Sequence, residues 1–239
     1  MRKLGVVLLG GLATFNLACE TVESEDVLTS GVFAGIEVTA DGSGNSLVTT
    51  RLKVGGGNSN TFLDLSGDDK LEASSGDETL VMKKDKGLFN DIKYTAEFEG
   101  DAEDKAFAVA FLRTIDDGAP SSTVTLPAPF ALTGPDEGTS FSRAEAITIT
   151  WDNAGKADTM RVSASGDCIH VFSQDVDGDP GSFTIAAGSL DELDSEEPAT
   201  CEINVSVRRV RSGSLDPAYG EGGSVTAEVV RARTLTSAP

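Results

Sequence analysis

The chain has 239 residues, with 39 acidic against 19 basic side chains and a formal net charge of −20. That surplus repels nucleic-acid phosphates and anionic head groups, so DNA, RNA and peripheral membrane binding are disfavoured. Apolar residues make up 39% of the chain, enough to build cores and to exclude a disordered polypeptide, and the length suits two ordinary domains.

Met1-Arg2-Lys3 puts positive charge at the start, and Leu4 to Phe15 then runs without a charged residue. About a dozen apolar or small residues form the core of a signal peptide and are too short for a helix across a ~30 Å bilayer. The stretch ends in Asn16-Leu17-Ala18-Cys19. This segment resembles the lipobox of bacterial lipoproteins, in which Cys is acylated and becomes the first mature residue. Ala18 and Cys19 match that pattern, whereas Leu17 is bulkier and Asn16 stands where Leu is usual. The resemblance implies that residues 1–18 are removed and that Cys19 carries the lipid, an anchor with ~0.8 kcal/mol per buried methylene. Glu20, rather than Asp, follows the cysteine, which for a Gram-negative lipoprotein implies the outer rather than the inner membrane. Loss of Arg2 and Lys3 leaves 17 basic residues against 39 acidic, a formal net of −22.

Glu20 to Ser30 is acidic and without periodicity, so residues 19–30 are expected to be a lipidated tether. From Val32 onward, short alternating runs are separated by turn residues such as Asp41-Gly42 and Gly55-Gly56-Gly57-Asn58. Strands are expected at Val32–Val38, Leu47–Val54, Thr61–Leu65, Leu71–Ser74, Thr79–Lys83, Lys93–Phe98 and Ala106–Arg113, a spacing that predicts an antiparallel sandwich or barrel. No segment shows sustained helical periodicity. Both Gly-rich stretches lie between strands and so read as hairpin turns, not phosphate loops. Four of the eight prolines fall between Ala119 and Pro135, where Thr123–Leu126 is a last edge strand before a stiff connector. The expected division is 31–126 and 127–239.

The second half repeats the style, with strands expected at Ala146–Trp151, Met160–Ala164, Ser182–Ile185, Cys201–Val210 and Val225–Arg233. Trp151 on an early strand and Cys201 on a later one make residues 130–235 similar to immunoglobulin-like or fibronectin-type sandwiches. In immunoglobulin domains the Trp lies between two cysteines, and here it precedes both, so the topology is left open. The fold class expected is all-β, two tandem antiparallel β-sandwich domains after the signal peptide and tether. With Cys19 assigned to lipid, Cys168 and Cys201 remain as a pair, which in an oxidising compartment reads as a disulfide.

Candidate sites are few. Asp175, Asp177 and Asp179 place alternate carboxylates in a tight acidic stretch, as at the start of a calcium loop. Pro180 occupies the position where such a loop needs Gly, and a solvated turn is the favoured reading. Asp64, Asp68 and Asp69 form a weaker acidic cluster. Arg209 and Arg211 share one face of their strand, and Arg231 and Arg233 share one face of theirs. That basic stripe suits a carboxylate, sulfate or lipopolysaccharide phosphate, although cross-strand pairing with Glu202, Glu221 or Glu228 is preferred. His170 is alone, and no G-x-S-x-G elbow accompanies it. No catalytic motif is found. The expectation is therefore a lipid-anchored envelope protein acting as a non-catalytic binding, adhesion or structural module toward a protein or glycan, without a cofactor. The alternatives are an envelope hydrolase using paired carboxylates and a calcium-stabilised adhesion module.

Overall fold

The computed structural model describes residues 20–193 and 199–239, so residues 1–18 and the expected lipidation site, Cys19, lie outside the described residues. The N-terminal half forms β1 (Glu20–Glu23), β2 (Val32–Ala40), β3 (Asn45–Val54), β4 (Thr61–Asp64), β5 (Lys70–Ser75), β6 (Glu78–Val81), β7 (Lys83–Lys86), β8 (Ile92–Glu99), β9 (Ala106–Leu112) and β10 (Ala119–Thr125). The C-terminal half adds β11 (Leu132–Gly134), β12 (Ser140–Ser142), β13 (Ile147–Trp151), β14 (Thr159–Gly166), β15 (Ile169–Val176), β16 (Ser182–Ile185), β17 (Cys201–Ser212) and β18 (Gly223–Ala238). Among the described residues the only helical turns are two 3-10 turns, Ser24–Asp26 and Thr29–Gly31. The all-β expectation holds.

Alternation explains the layers. Every second residue of β2, from Val32 to Ala40, is buried, and Ile92, Tyr94, Ala96 and Phe98 do the same on β8. A period of two places those side chains on one face of each strand. They face the sheet β10-β9-β5-β6, where Phe107, Val109 and Phe111 point back; the Phe98 and Phe107 rings meet edge-on at 5.7 Å. In the C-terminal half, Met160, Val162, Val205 and Val207 join Ile147, Ile149, Trp151 and Ile185 of the sheet β11-β13-β16 in the same hydrophobic core.

The large sheet does not stop between the halves. Its order is β1-β4-β3-β2-β18-β17-β14-β15, with β8 attached at β3, β7 at β8 and β12 at β18. Gly223 to Val229 of β18 pair in parallel with Ala34 to Ala40 of β2, while Thr226 to Ser237 pair antiparallel with β17. One strand of 16 residues, about 50 Å long at ~3.3 Å per residue, therefore serves both sandwiches. Gly223 permits its close start beside β2, since a Cβ there would collide with the Ala34 carbonyl. The expected boundary at 127 falls in the connector between β10 and β11, and the sheet runs past it.

Three departures from the sequence reading follow from contacts distant in the chain. The sandwiches are not purely antiparallel, because β1–β4, β12–β18 and β2–β18 are parallel pairs. Residues 20–30 are not a free tether: β1 pairs with β4, and Ser24 and Thr29 are buried. Arg113 explains this. Its guanidinium donates to Ser24 O (2.5 Å), Val27 O (2.8 Å) and Thr29 Oγ1 (3.0 Å) and pairs with Asp69 at 3.0 Å. The expected strand Thr79–Lys83 is two strands, since the chain crosses from one sheet to the other at buried Met82.

Candidate functional site

Arg209, Arg211, Arg231 and Arg233 come to one inner face of the β17–β18 ribbon, because Arg231 stands opposite Val207 and Arg233 opposite Val205. What fills that face is the chain's own connector. Arg209 donates to Ala128 O at 2.7 Å and Asn153 O at 2.9 Å. Arg211 donates to Leu126 O at 2.9 Å and to Thr125 Oγ1 at 3.0 Å. The guanidinium groups of Arg209 and Arg231 lie 5.0 and 5.8 Å from the Phe130 ring centroid, and Arg233 donates to the carbonyls of Leu132 and Pro135. These forks satisfy backbone carbonyls that burial of the connector removes from water. The expected anion-binding stripe is instead a clamp on residues 125–135.

Carboxylates complete the clamp. Arg211 holds Asp158 bidentately (2.7 and 3.1 Å) and meets Asp104 at 2.6 Å; the Asp158 bond leads in holding it protonated above the usual arginine range. Asp179 accepts from Arg209 Nη2 at 2.7 Å, Trp151 Nε1 at 2.7 Å and the Lys156 N–H at 3.1 Å. Both partners of the Arg209–Asp179 pair have side chains that are 0% exposed. Such a pair fixes geometry rather than supplying much net stability.

The three expected calcium ligands are thus not brought together. Asp179 points inward to Arg209. Asp175 belongs to β15 and pairs with Arg161 at 2.6 Å, and that hydrogen bond holds its carboxyl below the ordinary range. Among the described residues no group of three metal-ligating side chains forms. Asp64 and Asp69 are likewise engaged, by Lys84 and Arg113.

The opposite face of the ribbon carries a charge ladder. Arg208 stands directly opposite Arg161, an unfavourable arrangement alone. It is tolerated because Arg208 meets both oxygens of Glu228 at 2.9 and 3.2 Å and Arg161 meets Asp175. Of the cross-strand partners expected for the arginines, Glu228 is the one used. Burial raises the Glu228 pKa, Arg208 opposes that shift, and nearby Glu37 adds to it.

No family model matches the chain, and no curated protein matches it. Solved structures similar to it include the FN1–FN3 domains of chicken CNTN1, at 8% identity over 90% of this chain and 68% of that one, with a TM-score of 0.29. The Yersinia pseudotuberculosis adhesin InvE shares 12% identity over 84% and 59% of the two chains, with a TM-score of 0.24. The fibronectin(III)-like modules of Clostridium thermocellum CbhA share 16% over 85% and 91%, with a TM-score of 0.22. The β-sandwich architecture rests on the strand pairing above, not on these likenesses.

The open grooves differ in what they offer a carboxylate hydrolase. One of about 450 Å³ lies on the outer face of β5, β9 and β10 beside Ser212–Ser214, and no Asp, Glu or His lines it. Two smaller ones carry carboxylates: Asp41 and Glu97 line a groove of about 230 Å³ at the β2–β3 turn, and Asp116 and Asp117 line one of about 250 Å³, where Asp116 accepts from the Thr29 N–H at 2.7 Å. Glu37 and Glu228 share a face, but it is a sheet surface and both Glu228 oxygens are taken by Arg208. Cys168 and Cys201 form the expected disulfide, with Cα atoms 5.9 Å apart, joining the β14–β15 turn to the start of β17. Arg143 was missed from sequence. It is buried near this end, where it donates to Ala199 O and Ser237 Oγ and pairs with Glu192 at 3.0 Å. An isolated Arg in a polar stretch gave no signal for it.

Proposed function

We propose that the mature chain is a lipid-anchored envelope module without catalytic activity, acting as a spacer that presents its C-terminal sandwich to a protein or glycan partner. The observation that carries this reading is the single strand β18 running through both sandwiches, with the connector clamped from Thr125 to Pro135. A hinge at the connector would have to break buried arginine–carbonyl bonds and a continuous ladder, so the halves move as one arm. Glu20, next to Cys19, stands at the end of the N-terminal sandwich remote from the C-terminal one. An acylated Cys19 would therefore put the C-terminal sandwich farthest from the bilayer.

Cys19→Ser tests the anchor. It should lose the acyl mass and leave the membrane fraction, and a variant that stays membrane-bound would reject the lipid reading. Crosslinking of the anchored protein in native envelope should recover one stoichiometric protein or a polysaccharide. Turnover of an envelope polymer by the purified chain would overturn the non-catalytic reading.

A further inference from the structure

The β7–β8 hairpin has a composition unlike the rest of this acidic chain. Lys83, Lys84 and Lys86 lead into Gly87-Leu88-Phe89-Asn90-Asp91, and Lys93 follows. Segment 83–93 therefore carries four lysines against Asp85 and Asp91, a local excess of positive charge. Lys84 and Lys93 are paired with Asp64 and Asp85, whereas Lys83 and Lys86 make no ion pair among the described residues. At the tip, Leu88 is 99% exposed and Phe89 68%. This is a defined turn: the Gly87 N–H donates to Asp91 O at 2.8 Å, the Asn90 N–H donates to Gly87 O at 3.2 Å, and Asn90 adopts φ 65°. Two large apolar side chains are held in water by a formed loop, where a mobile one would let them fold back.

Strand register says which way the tip points. Thr50 of β3 lies beside Tyr94 of β8, and β8 runs antiparallel to β3, so the turn before Ile92 lies toward the Val54 end. Val54 is beside Thr61, and Thr61 is beside Glu20. β18 enters next to Ala34 and leaves past Ala40 into the C-terminal sandwich, at the opposite end. Leu88, Phe89 and Glu20 therefore share the end of the molecule facing away from the C-terminal sandwich.

We propose that the β7–β8 turn is a membrane-contact element, with Leu88 and Phe89 entering the interfacial zone of an anionic phospholipid bilayer and Lys83 and Lys86 meeting its head-group phosphates. This rests on the reading of Cys19 as lipid-bearing, which sets a bilayer beside Glu20. Apolar side chains seat in the boundary between head groups and acyl chains, and lysines beside them are attracted to anionic lipid. The negative charge of the whole chain opposes approach at long range. It is screened beyond ~10 Å at 0.1 M salt, so the local sign governs at contact. One such tip binds weakly alone, but an anchor at the same end raises its effective concentration at the surface. The contact would fix the arm's tilt.

The test uses the acylated full chain carrying Phe89→Trp, reconstituted in phosphatidylcholine vesicles with and without phosphatidylglycerol, and quencher-labelled lipid. Buried Trp151 supplies the background, measured in the chain without the substitution. Emission from the introduced indole should shift to the blue and be strongly quenched in vesicles containing phosphatidylglycerol. Lys83→Glu with Lys86→Glu should reverse most of that quenching while leaving the melting temperature unchanged. An acylated, vesicle-bound protein whose introduced indole stays unquenched would overturn the contact while leaving the anchor intact, and a tip reserved for a protein partner would give that result. Quenching unaffected by the two Lys→Glu changes would overturn the head-group role. A chain with no acyl mass that floats free of vesicles would overturn the anchor reading, and this inference with it.

Discussion

Replacing Arg209 by Met removes the guanidinium and keeps an apolar stem of similar length. The change abolishes the bonds to Ala128 O, Asn153 O and Asp179 Oδ2 and the contact with Phe130. Asp179 keeps Trp151 and the Lys156 N–H but becomes a buried carboxylate without a counter-charge. Breaking a buried pair from one side costs roughly 3–5 kcal/mol, most of it the stranded charge. For a chain of this size each kcal/mol lowers the melting temperature by ~2–4 °C, so a loss of ~6–20 °C is expected. Asp179→Asn retains the Trp151 bond and relieves the stranded charge. The double variant should therefore be more stable than the sum of the two single losses predicts, with a coupling of roughly 2 kcal/mol. Thermal and urea unfolding at neutral pH measure the cycle, and limited proteolysis reports whether the connector near Ala128 opens. An Arg209→Met protein melting within about 2 °C of wild type, where each kcal/mol is worth that much, would refute the clamp. So would additivity of the two changes to within ~0.5 kcal/mol.

Reducing the Cys168–Cys201 bond, whose partners are 33 residues apart, should cost about 3.7 kcal/mol on the loop-entropy relation; an unchanged urea midpoint with reductant would contradict this. Burial pushes the Tyr94 hydroxyl up to about 12, and burial together with Asp216 raises Tyr219 also. These are the chain's two tyrosines, so the folded protein should show almost no tyrosinate absorbance at pH ~11, where a free phenol is mostly ionised. Their stabilising contribution is present below the ordinary tyrosine value and is lost as pH rises through the raised ones; a folded-state tyrosinate midpoint near 10 would reject the burial argument. The raised Glu228 carboxyl works in the same sense: its contribution is present below the ordinary glutamate value and lost as pH rises through the shifted one. Glu228→Gln should therefore compare better with wild type at neutral pH than at pH ~4, and a variant disadvantage that grows with pH in thermal melts would count against it.

Strand positions were legible where one face is buried and the other wet. Val32 to Ala40, Ile92 to Glu99 and Cys201 to Ser212 carry that alternation in their own residues, and the cysteine count exposed the disulfide. Other strands gave no local signal. β1 forms because Arg113 and β4 hold it, and β7 has four exposed residues stabilised by pairing with β8. The acidic run at Asp175–Asp179 read as a solvated turn or cation loop. Asp179 is instead a buried partner of an arginine 30 residues away, a distance at which spacing conveys nothing.

The sequence alone determined an all-β chain, the order of most strands, the pairing of Cys168 with Cys201 and the alignment of arginines on two neighbouring strands. Those properties depend on a residue's own type and its period along the strand, so nearest neighbours in the chain suffice. Only the tertiary structure decided that β18 belongs to both sandwiches, that the arginines grip the connector, and that Leu88 and Phe89 stand at the same end as Glu20. Each of these depends on which distant segment supplies the missing hydrogen-bond or packing partner. That choice is made when the whole chain competes to bury its apolar faces and to satisfy its carbonyls.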